Sequence, residues 1–124
     1  MEKILCPSMM CANYGHLADE VRALDDAGAN IIYIHPESER YVVKALAHIK
    51  ERGKLSGIAV NPDTSVASIS EILNLCDYVM VMTVNPGFAG QGFIDFTAKK
   101  IAQLVELKKR IRLQADDRWA LHTA

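Results

Sequence analysis

The hydrophobic residues of this chain fall into short apolar runs that alternate with helical stripes. Apolar runs of strand length, rich in β-branched residues, predict four strands at about 3–6, 31–34, 55–60 and 78–84. After each run, apolar residues recur at helical spacing and predict helices at about 17–27, 39–50, 65–75 and 96–111. Four strand–helix repeats with short connections predict a parallel sheet with right-handed crossovers.

The end of the fourth predicted strand carries the clearest chemical signal. Asn85-Pro86-Gly87 is a turn sequence, and Ala89 and Gly90 around Phe88 are small, so a ligand can approach their backbone N–H groups. A helix that follows such a loop would direct its N-terminal N–H groups and partial positive charge at the same place. Strand, loop and helix together favour a phosphate site. The alternative is that proline and glycine only make the turn.

Composition limits the classes of function. The chain has 124 residues, half of them hydrophobic, with 14 basic and 15 acidic side chains and a net charge of −1. This is enough for one domain, and it favours neither a nucleic-acid nor a membrane surface. The N-terminus shows no signal peptide, and no apolar run reaches the length of a membrane span. Cys6, Cys11 and Cys76 are odd in number and read as reduced, buried thiols of a cytoplasmic protein.

Four strings of residues carry a family resemblance. Val81–Gln91 resembles the sixth-strand signature of the ribulose-phosphate 3-epimerase family, which includes hexulose-phosphate epimerases such as allulose-6-phosphate 3-epimerase. Ile4–Ala12, Ile34–Glu37 and Gly57–Pro62 resemble the family's first, fourth and fifth strands. The resemblance covers most of residues 1–109 and implies an α/β fold, a partial (β/α)8 TIM barrel of about four parallel βα units.

The rest of the barrel has no match in this chain. A complete barrel takes about 250 residues. Ala27–Ile32 resembles the start of the family's second strand, but Tyr33–Ser38 continues like its fourth. We infer an internal deletion of about two βα units.

The tail, residues 110–124, shows no strand pattern and is expected to lie outside the family domain of residues 1–109. The family would have a seventh strand here that ends in Asp-Gly. Codons for the tail, shifted by one base, can encode such a strand. We therefore hypothesise a frame-shifted tail, and a natural polar tail is the alternative.

The resemblance implies a divalent metal cofactor, often zinc, held by two aspartates and two histidines. None of these four residues has a matching position here, so we predict no metal ligand and no retained catalytic residue. His35, with Glu37 two residues on, is assigned to the fourth-strand motif instead. His16 and His48 are expected at the surface or its boundary.

Substrate-binding positions do match the family. Ser8 matches a serine at the end of its first strand that contacts a substrate hydroxyl, although a plain turn serine is the alternative. Met82 matches a methionine that lines the family's site, although ordinary core packing explains it as well. The family's phosphate-binding loop is matched by Gly87, Phe88, Ala89 and Gly90. Ala89 departs from the commoner glycine but keeps its N–H group.

The resemblance therefore implies an isomerase of sugar-phosphate metabolism that moves a proton at C3 of a phosphorylated ketose, catalytically impaired in this form. The competing reading is a non-catalytic phosphate-binding half-barrel or an inert fragment. Another phosphate-binding barrel, such as an indole- or thiamine-pathway enzyme, fits the first- and sixth-strand strings less well. The expected partners are a phosphorylated ketose and, because a half-barrel leaves open sheet edges, further copies of the chain.

Overall fold

A parallel sheet lies at the centre of the computed structural model, which describes residues 3–9, 14–112 and 120–123. Four strands lie side by side in chain order, each parallel to the next. They are β1 (Ile31–Ile34), β2 (Leu55–Val60), β3 (Tyr78–Val81) and β4 (Ala120–Thr123). The predicted fold class, an α/β chain with the open parallel sheet of a partial barrel, is confirmed.

Among the described residues, three α-helices cover one face of the sheet. They are α1 (Leu17–Asp26), α2 (Val42–Glu51) and α3 (Thr97–Arg112), and they match three of the four predicted helices. Each turns apolar residues towards the sheet, such as Val21 of α1 and Leu46 of α2, both buried. The hydrophobic core therefore lies between the helices and the sheet, as the helical stripes predicted.

Alternation along the strands sorts their side chains onto two faces. Ile32, Ile58 and Val79 point into the core under the helices and are fully buried. The opposite face carries a smaller cluster with three buried members, and it lies where a closed barrel would have its interior. That cluster consists of Ile31, Tyr33 and Ala59, with Tyr78, Met80 and Met82 partly buried against it.

The first predicted strand is present only in part. Met9 N–H donates to the Tyr33 carbonyl at 2.8 Å, and Tyr33 N–H donates to the Pro7 carbonyl at 2.9 Å, so Ser8 forms a parallel bridge to Tyr33. One residue pair earlier, the ladder would need an N–H group on Pro7, which proline lacks. The segment 3–9 therefore lies along β1 as an irregular edge, not as a regular strand.

The prediction of a helix at 65–75 was wrong. The structure has two short 3-10 turns there, Val66–Ile69 and Leu73–Leu75. The Ser68 hydroxyl donates to the Ser65 carbonyl at 2.7 Å, and the Ser70 hydroxyl donates to the Ala67 carbonyl at 3.0 Å. Serine hydroxyls that bond to nearby carbonyls compete with helix hydrogen bonds, and this explains the tighter, broken turns.

The expectation that the tail contains no strand was also wrong. Ala120–Thr123 pairs with Tyr78–Val81 along its whole length. Without that pairing, β3 would expose a row of backbone N–H and carbonyl groups at the sheet edge. Backbone pairing needs no apolar alternation in the added strand, which is why the sequence pattern gave no sign of it.

Acidic residues at the amino-terminal side of the sheet are held by specific partners. The Asp25 carboxylate pairs with Arg52 at 2.8 Å and with Lys54 at 2.9 Å. The Lys54 hydrogen bond, with further help from Arg52, outweighs burial and lowers the pKa of Asp25. The Asp77 carboxylate accepts the Ser56 N–H at 2.9 Å. These contacts join α1 and the start of β3 to the start of β2.

Candidate functional site

A cavity of about 260 Å³ opens on the inner face, at the carboxyl ends of β1, β2 and β3. In parallel α/β folds and barrels, ligands bind at this end of the strands. Its lining consists of Cys6, Ser8, Tyr33, His35, Ala59, Met80, Met82, Pro86 and Gly87. The cavity brings together three residues that the family resemblance predicted, namely Ser8, Met82 and Gly87.

A larger cavity, of about 580 Å³, lies at the opposite end of the sheet. It is lined by residues that precede β2 and β3, such as Lys54 and Asp77, and by residues of α2. The Asp77 and Lys54 side chains are already engaged in the contacts described above. The cavity at the carboxyl ends is therefore the better candidate for a binding site.

The loop after β3 is closed by one side chain that sequence analysis missed. The Gln91 amide donates to the carbonyls of Asn85, at 2.7 Å, and Phe88, at 2.9 Å, and its Oε1 accepts the Asn85 N–H at 3.1 Å. Gly87 and Gly90 adopt positive φ angles of 94° and 74°, a region that glycine enters without strain. The signal for Gln91 was its position at the end of the matched string.

The four predicted phosphate-loop residues occupy different places. Gly87 lines the cavity, whereas Phe88, Ala89 and Gly90 are exposed on the loop outside that lining. The following helix begins only at Thr97, so residues 91–96 separate the loop from the helix N-terminus. The N–H groups of the loop itself are therefore the donors available next to Gly87.

Ser8 and Met82 stand on opposite sides of the cavity. Ser8 is exposed, and the bridge to Tyr33 fixes its backbone beside the carboxyl end of β1. Met82 follows β3, where its N–H donates to the Val60 carbonyl at 3.0 Å, and its side chain packs against the inner cluster. A ligand in the cavity would thus meet a hydroxyl on one side and an apolar thioether on the other.

His35 forms the polar part of the cavity wall. It is 4% exposed, and its Nδ1 is buried without a hydrogen-bond partner among the described residues. Burial lowers the pKa of His35, while the neighbouring Glu37 carboxylate and Asn61 side chain oppose that shift. His35 is therefore a neutral imidazole at pH 7, able both to donate and to accept a hydrogen bond.

Asn61 sits at the end of β2, and its backbone is held from both sides. Its N–H donates to Glu37 Oε1 at 2.9 Å, and its carbonyl accepts the Lys100 ammonium at 2.6 Å. Glu37 Oε1 also accepts the Thr64 hydroxyl. Burial lowers the pKa of Lys100, opposed by the carboxylates of Asp63 and Glu37. Sequence analysis missed this network, although the Asn-Pro pair that closes both β2 and β3 marked its position.

The thiols differ from the prediction that all three are buried. Cys76 is buried, and the pKa of its thiol is raised to about 12, mainly by burial, with a further contribution from the nearby Asp77. Cys6 is exposed, at the mouth of the cavity. Cys11 lies outside the described residues.

The side chains around the cavity do not fit the divalent metal that the resemblance implies. Within residues 3–9 and 15–109, no group of three or more histidine, cysteine, aspartate or glutamate side chains could hold a metal ion. The carboxylate nearest in sequence to His35, that of Glu37, is engaged with Asn61 and Thr64.

Comparison with known proteins identifies the chain's relatives. The model of the ribulose-phosphate 3 epimerase family matches residues 9–119. No helix in the described part of the chain is long and apolar enough to cross a membrane.

Individual relatives carry the same name. The chain is 44% identical over 86 residues to the ribulose-phosphate 3-epimerase of Aquifex aeolicus (strain VF5), an overlap that covers 69% of this chain and 39% of that protein. The enzyme of Rhodobacter capsulatus is 43% identical over 79 residues, 64% of this chain and 35% of that protein. That of Escherichia coli (strain K12) is 40% identical over 85 residues, 68% and 36%. The chain thus spans well under half the length of the curated relatives it matches.

Proposed function

Because this chain belongs to the ribulose-phosphate 3-epimerase family, we propose that its inner-face cavity binds a phosphorylated ketose for proton transfer at C3. The observation that carries the proposal is the meeting of Ser8, Met82 and Gly87 around one cavity at the carboxyl ends of the strands. These residues come from two widely separated parts of the sequence.

We propose an orientation for the ligand from the chemistry of the cavity. Its phosphate binds at the loop that begins at Gly87, where positive-φ glycines allow the phosphate to approach the backbone N–H groups closely. The sugar hydroxyls face Ser8, and the carbon chain packs against Met82 and the inner cluster. Phe88, Ala89 and Gly90 belong to the same proposed phosphate loop through their N–H groups, because the Gln91 side chain fixes the shape of the loop.

We further propose that this chain turns over its substrate only at a trace rate. Epimerisation next to a carbonyl needs one group to remove a proton and another to return it on the other face. Each lost acid–base group typically costs a factor of about 10²–10⁴ in rate. The family's metal-binding and proton-transfer side chains have no matching positions in this sequence, and among the described residues the cavity lining contains no carboxylate.

The alternative function is a phosphate-binding half-barrel without catalysis. The absence of a metal-binding cluster from the part of the chain that the structure describes favours it. The impaired epimerase and the non-catalytic half-barrel are distinguished by measuring conversion of D-ribulose 5-phosphate to D-xylulose 5-phosphate with and without added zinc. Zinc-dependent turnover at the rate of an ordinary enzyme would contradict the proposed impairment.

Binding is tested separately from turnover by following the backbone amide resonances of residues 87–91 during titration with D-ribulose 5-phosphate. We expect shifts that saturate in the millimolar range, equivalent to a binding free energy of about 4 kcal/mol. Gly90→Asp should abolish them because it adds a negative charge beside the phosphate. Gly90→Asn is the matched control, since asparagine tolerates a positive φ and has nearly the same size. No shift in the wild type, or equal shifts with Gly90→Asp, would refute the phosphate loop.

Two further expectations belong to the same proposal. Copies of the chain should associate, because the inner face is apolar and the edge along residues 3–9 is irregular, with Ile4 and Leu5 exposed. Sedimentation at several protein concentrations tests this, and a monomer at every concentration would refute it. A cytoplasmic location is supported by the free thiols of Cys6 and Cys76.

A further inference from the structure

Two polar atoms near the cavity are buried and lack partners. Within the part of the chain that the structure describes, neither His35 Nδ1 nor Asn61 Oδ1 makes a hydrogen bond. Leaving such atoms unpaired is unfavourable, and buried polar groups in native proteins are paired in the great majority of cases. The Asn61 side chain lies close enough to raise the pKa of His35, which is the direction expected of a neighbouring acceptor oxygen.

Both unpaired atoms are satisfied at once by a single arrangement. Asn61 Oδ1 can only accept a hydrogen bond, so it needs a donor. A neutral imidazole carries its proton on one nitrogen, and only a proton on Nδ1 makes that nitrogen the donor. In that tautomer the Nδ1–H group of His35 can donate to Oδ1 of the neighbouring Asn61 side chain.

Hydrogen bonds from neighbouring residues hold the backbone of Asn61 in place. Its N–H is bound by the Glu37 carboxylate and its carbonyl by the Lys100 ammonium, both with charged partners, which make stronger hydrogen bonds than neutral ones. Lys100 is 7% exposed and belongs to α3, so the contact also links the loop after β2 to that helix. The asparagine backbone is thereby fixed on both sides, and its side chain is kept beside the imidazole.

We propose that Asn61 is a positioning residue that holds His35 in the tautomer with its proton on Nδ1, which leaves Nε2 as a hydrogen-bond acceptor for a hydroxyl-bearing ligand in the cavity. His35 lines the cavity while its Nδ1 is enclosed, so the acceptor is the part of the ring that remains for the ligand. The assignment of a hydroxyl-bearing ligand rests on the proposed function, whereas the tautomer does not.

The tautomer is measured in the ligand-free protein by long-range ¹H–¹⁵N correlation spectroscopy of the imidazole rings at pH 7.5. We expect the His35 ring to show a protonated Nδ1 and an unprotonated Nε2. The signal of His35 is identified by its loss in His35→Gln. A His35 ring with its proton on Nε2 would overturn the proposal, because Asn61 would then have no imidazole donor.

Two substitutions at Asn61 separate positioning from general packing. Asn61→Ala should move His35 towards the Nε2–H form, while Asn61→Asp should keep the Nδ1–H form and raise the pKa of His35. Asn85→Ala, at the equivalent Asn-Pro pair after β3, should change neither property. Should Asn61→Ala fail to fold, Asn61→Asp and the wild-type spectrum still decide the matter. An unchanged tautomer in Asn61→Ala, or an unchanged pKa in Asn61→Asp, would refute the role of Asn61.

The proposed acceptor role of His35 Nε2 is tested with D-ribulose 5-phosphate and inorganic phosphate as probes. We expect the sugar phosphate to shift the His35 Nε2 resonance and inorganic phosphate to leave it unchanged, because only the sugar phosphate brings a sugar hydroxyl to the imidazole while its phosphate is held at the loop. Shifts of the loop amides without a shift at Nε2 would refute the acceptor role alone. An absence of all shifts would refute the proposed function and the acceptor role, while the tautomer measured without ligand would still decide the role of Asn61.

Discussion

The two faces of the sheet are built from the same strands but are covered very differently. On the helix side, residues such as Ile58 and Val79 are fully buried in one continuous core. On the inner side, only a small cluster around Tyr33 is buried, and Met80 and Met82 remain partly exposed. The helix side therefore supplies most of the burial that stabilises the fold, and the inner side carries the cavity and its polar groups. In this chain stability and the candidate function are separated across one sheet.

The largest effect is expected when one apolar side chain is removed from each face of the sheet. Ile58→Ala should lower the free energy of unfolding by about 2–5 kcal/mol, as expected for a fully buried isoleucine. Met80→Ala, on the inner face, should cost about 1 kcal/mol, well below the range for full burial, because its side chain is partly exposed. Urea denaturation of both variants at low protein concentration measures the difference.

Equal losses of unfolding free energy in the two variants would contradict the proposed difference between the two faces. They would mean that the inner face is covered in solution, for example by a second copy of the chain. Repeating the Met80→Ala measurement at higher protein concentration would then show a larger loss.

A glycine on the inner face provides the second test. A Cβ atom added to Gly57 would lie 2.3 Å from Tyr33 Cε1, closer than any real contact allows, and the Tyr33 ring is buried. Gly57→Ala should therefore cost about 1–3 kcal/mol of stability, the usual range for overpacking. Gly92→Ala is the matched control because open space surrounds its Cβ position. A neutral Gly57→Ala would show that the Tyr33 ring moves freely and that the inner cluster is loosely packed.

The third test concerns the network that joins the two faces at their carboxyl edge. Lys100→Met should cost about 1.5 kcal/mol, the lower end for a hydrogen bond to a charged group, because the Asn61 carbonyl loses its partner. Lys99→Met changes the neighbouring, exposed lysine of the same helix and should be nearly neutral. If the two variants lose the same stability, the Lys100 contact contributes nothing beyond the helix surface.

The sequence predicted the regular parts of this fold because each rests on a local pattern. Apolar runs located β1, β2 and the start of β3, and helical spacing located α1, α2 and α3. The segment at 65–75 had the same helical spacing, but its serine hydroxyls bond to nearby carbonyls, and a periodicity count does not register that competition. The hydrophobic pattern did not indicate the strand at 120–123, because its pairing with β3 is a contact between backbone groups that are distant in sequence.

The residues of the candidate site also fall into two groups, those that the sequence predicted and those that it did not. Ser8, Met82 and Gly87 were found because they match a family string, and the structure brings them to one cavity. Two residues that hold backbone segments near that cavity were not found, since the side chains of Gln91 and Lys100 act through contacts to backbone atoms. A side chain that binds a backbone atom leaves no characteristic spacing in a sequence. Resemblance can therefore identify groups that meet a ligand more readily than groups that hold those groups in place.

The smallest expected effect is the pH dependence that His35 brings to the stability of the fold. Burial holds its folded-state pKa below the unfolded value of about 6.5. The folded state therefore binds fewer protons than the unfolded state between these two pKa values, and stability in that window rises with pH. The contribution of His35 is fully present above the unfolded pKa and is lost as the pH falls through the folded pKa. Urea midpoints of the wild type should decrease from pH 7.5 to pH 5, whereas those of His35→Gln should decrease less. The lowered pKa of Asp25 does not contribute between pH 7.5 and pH 5, because the ordinary value of 3.8 already lies below that range. Parallel curves for the two proteins would mean that the imidazole titrates in the folded state as it does in the unfolded chain, and the inner wall of the cavity would then be open to water.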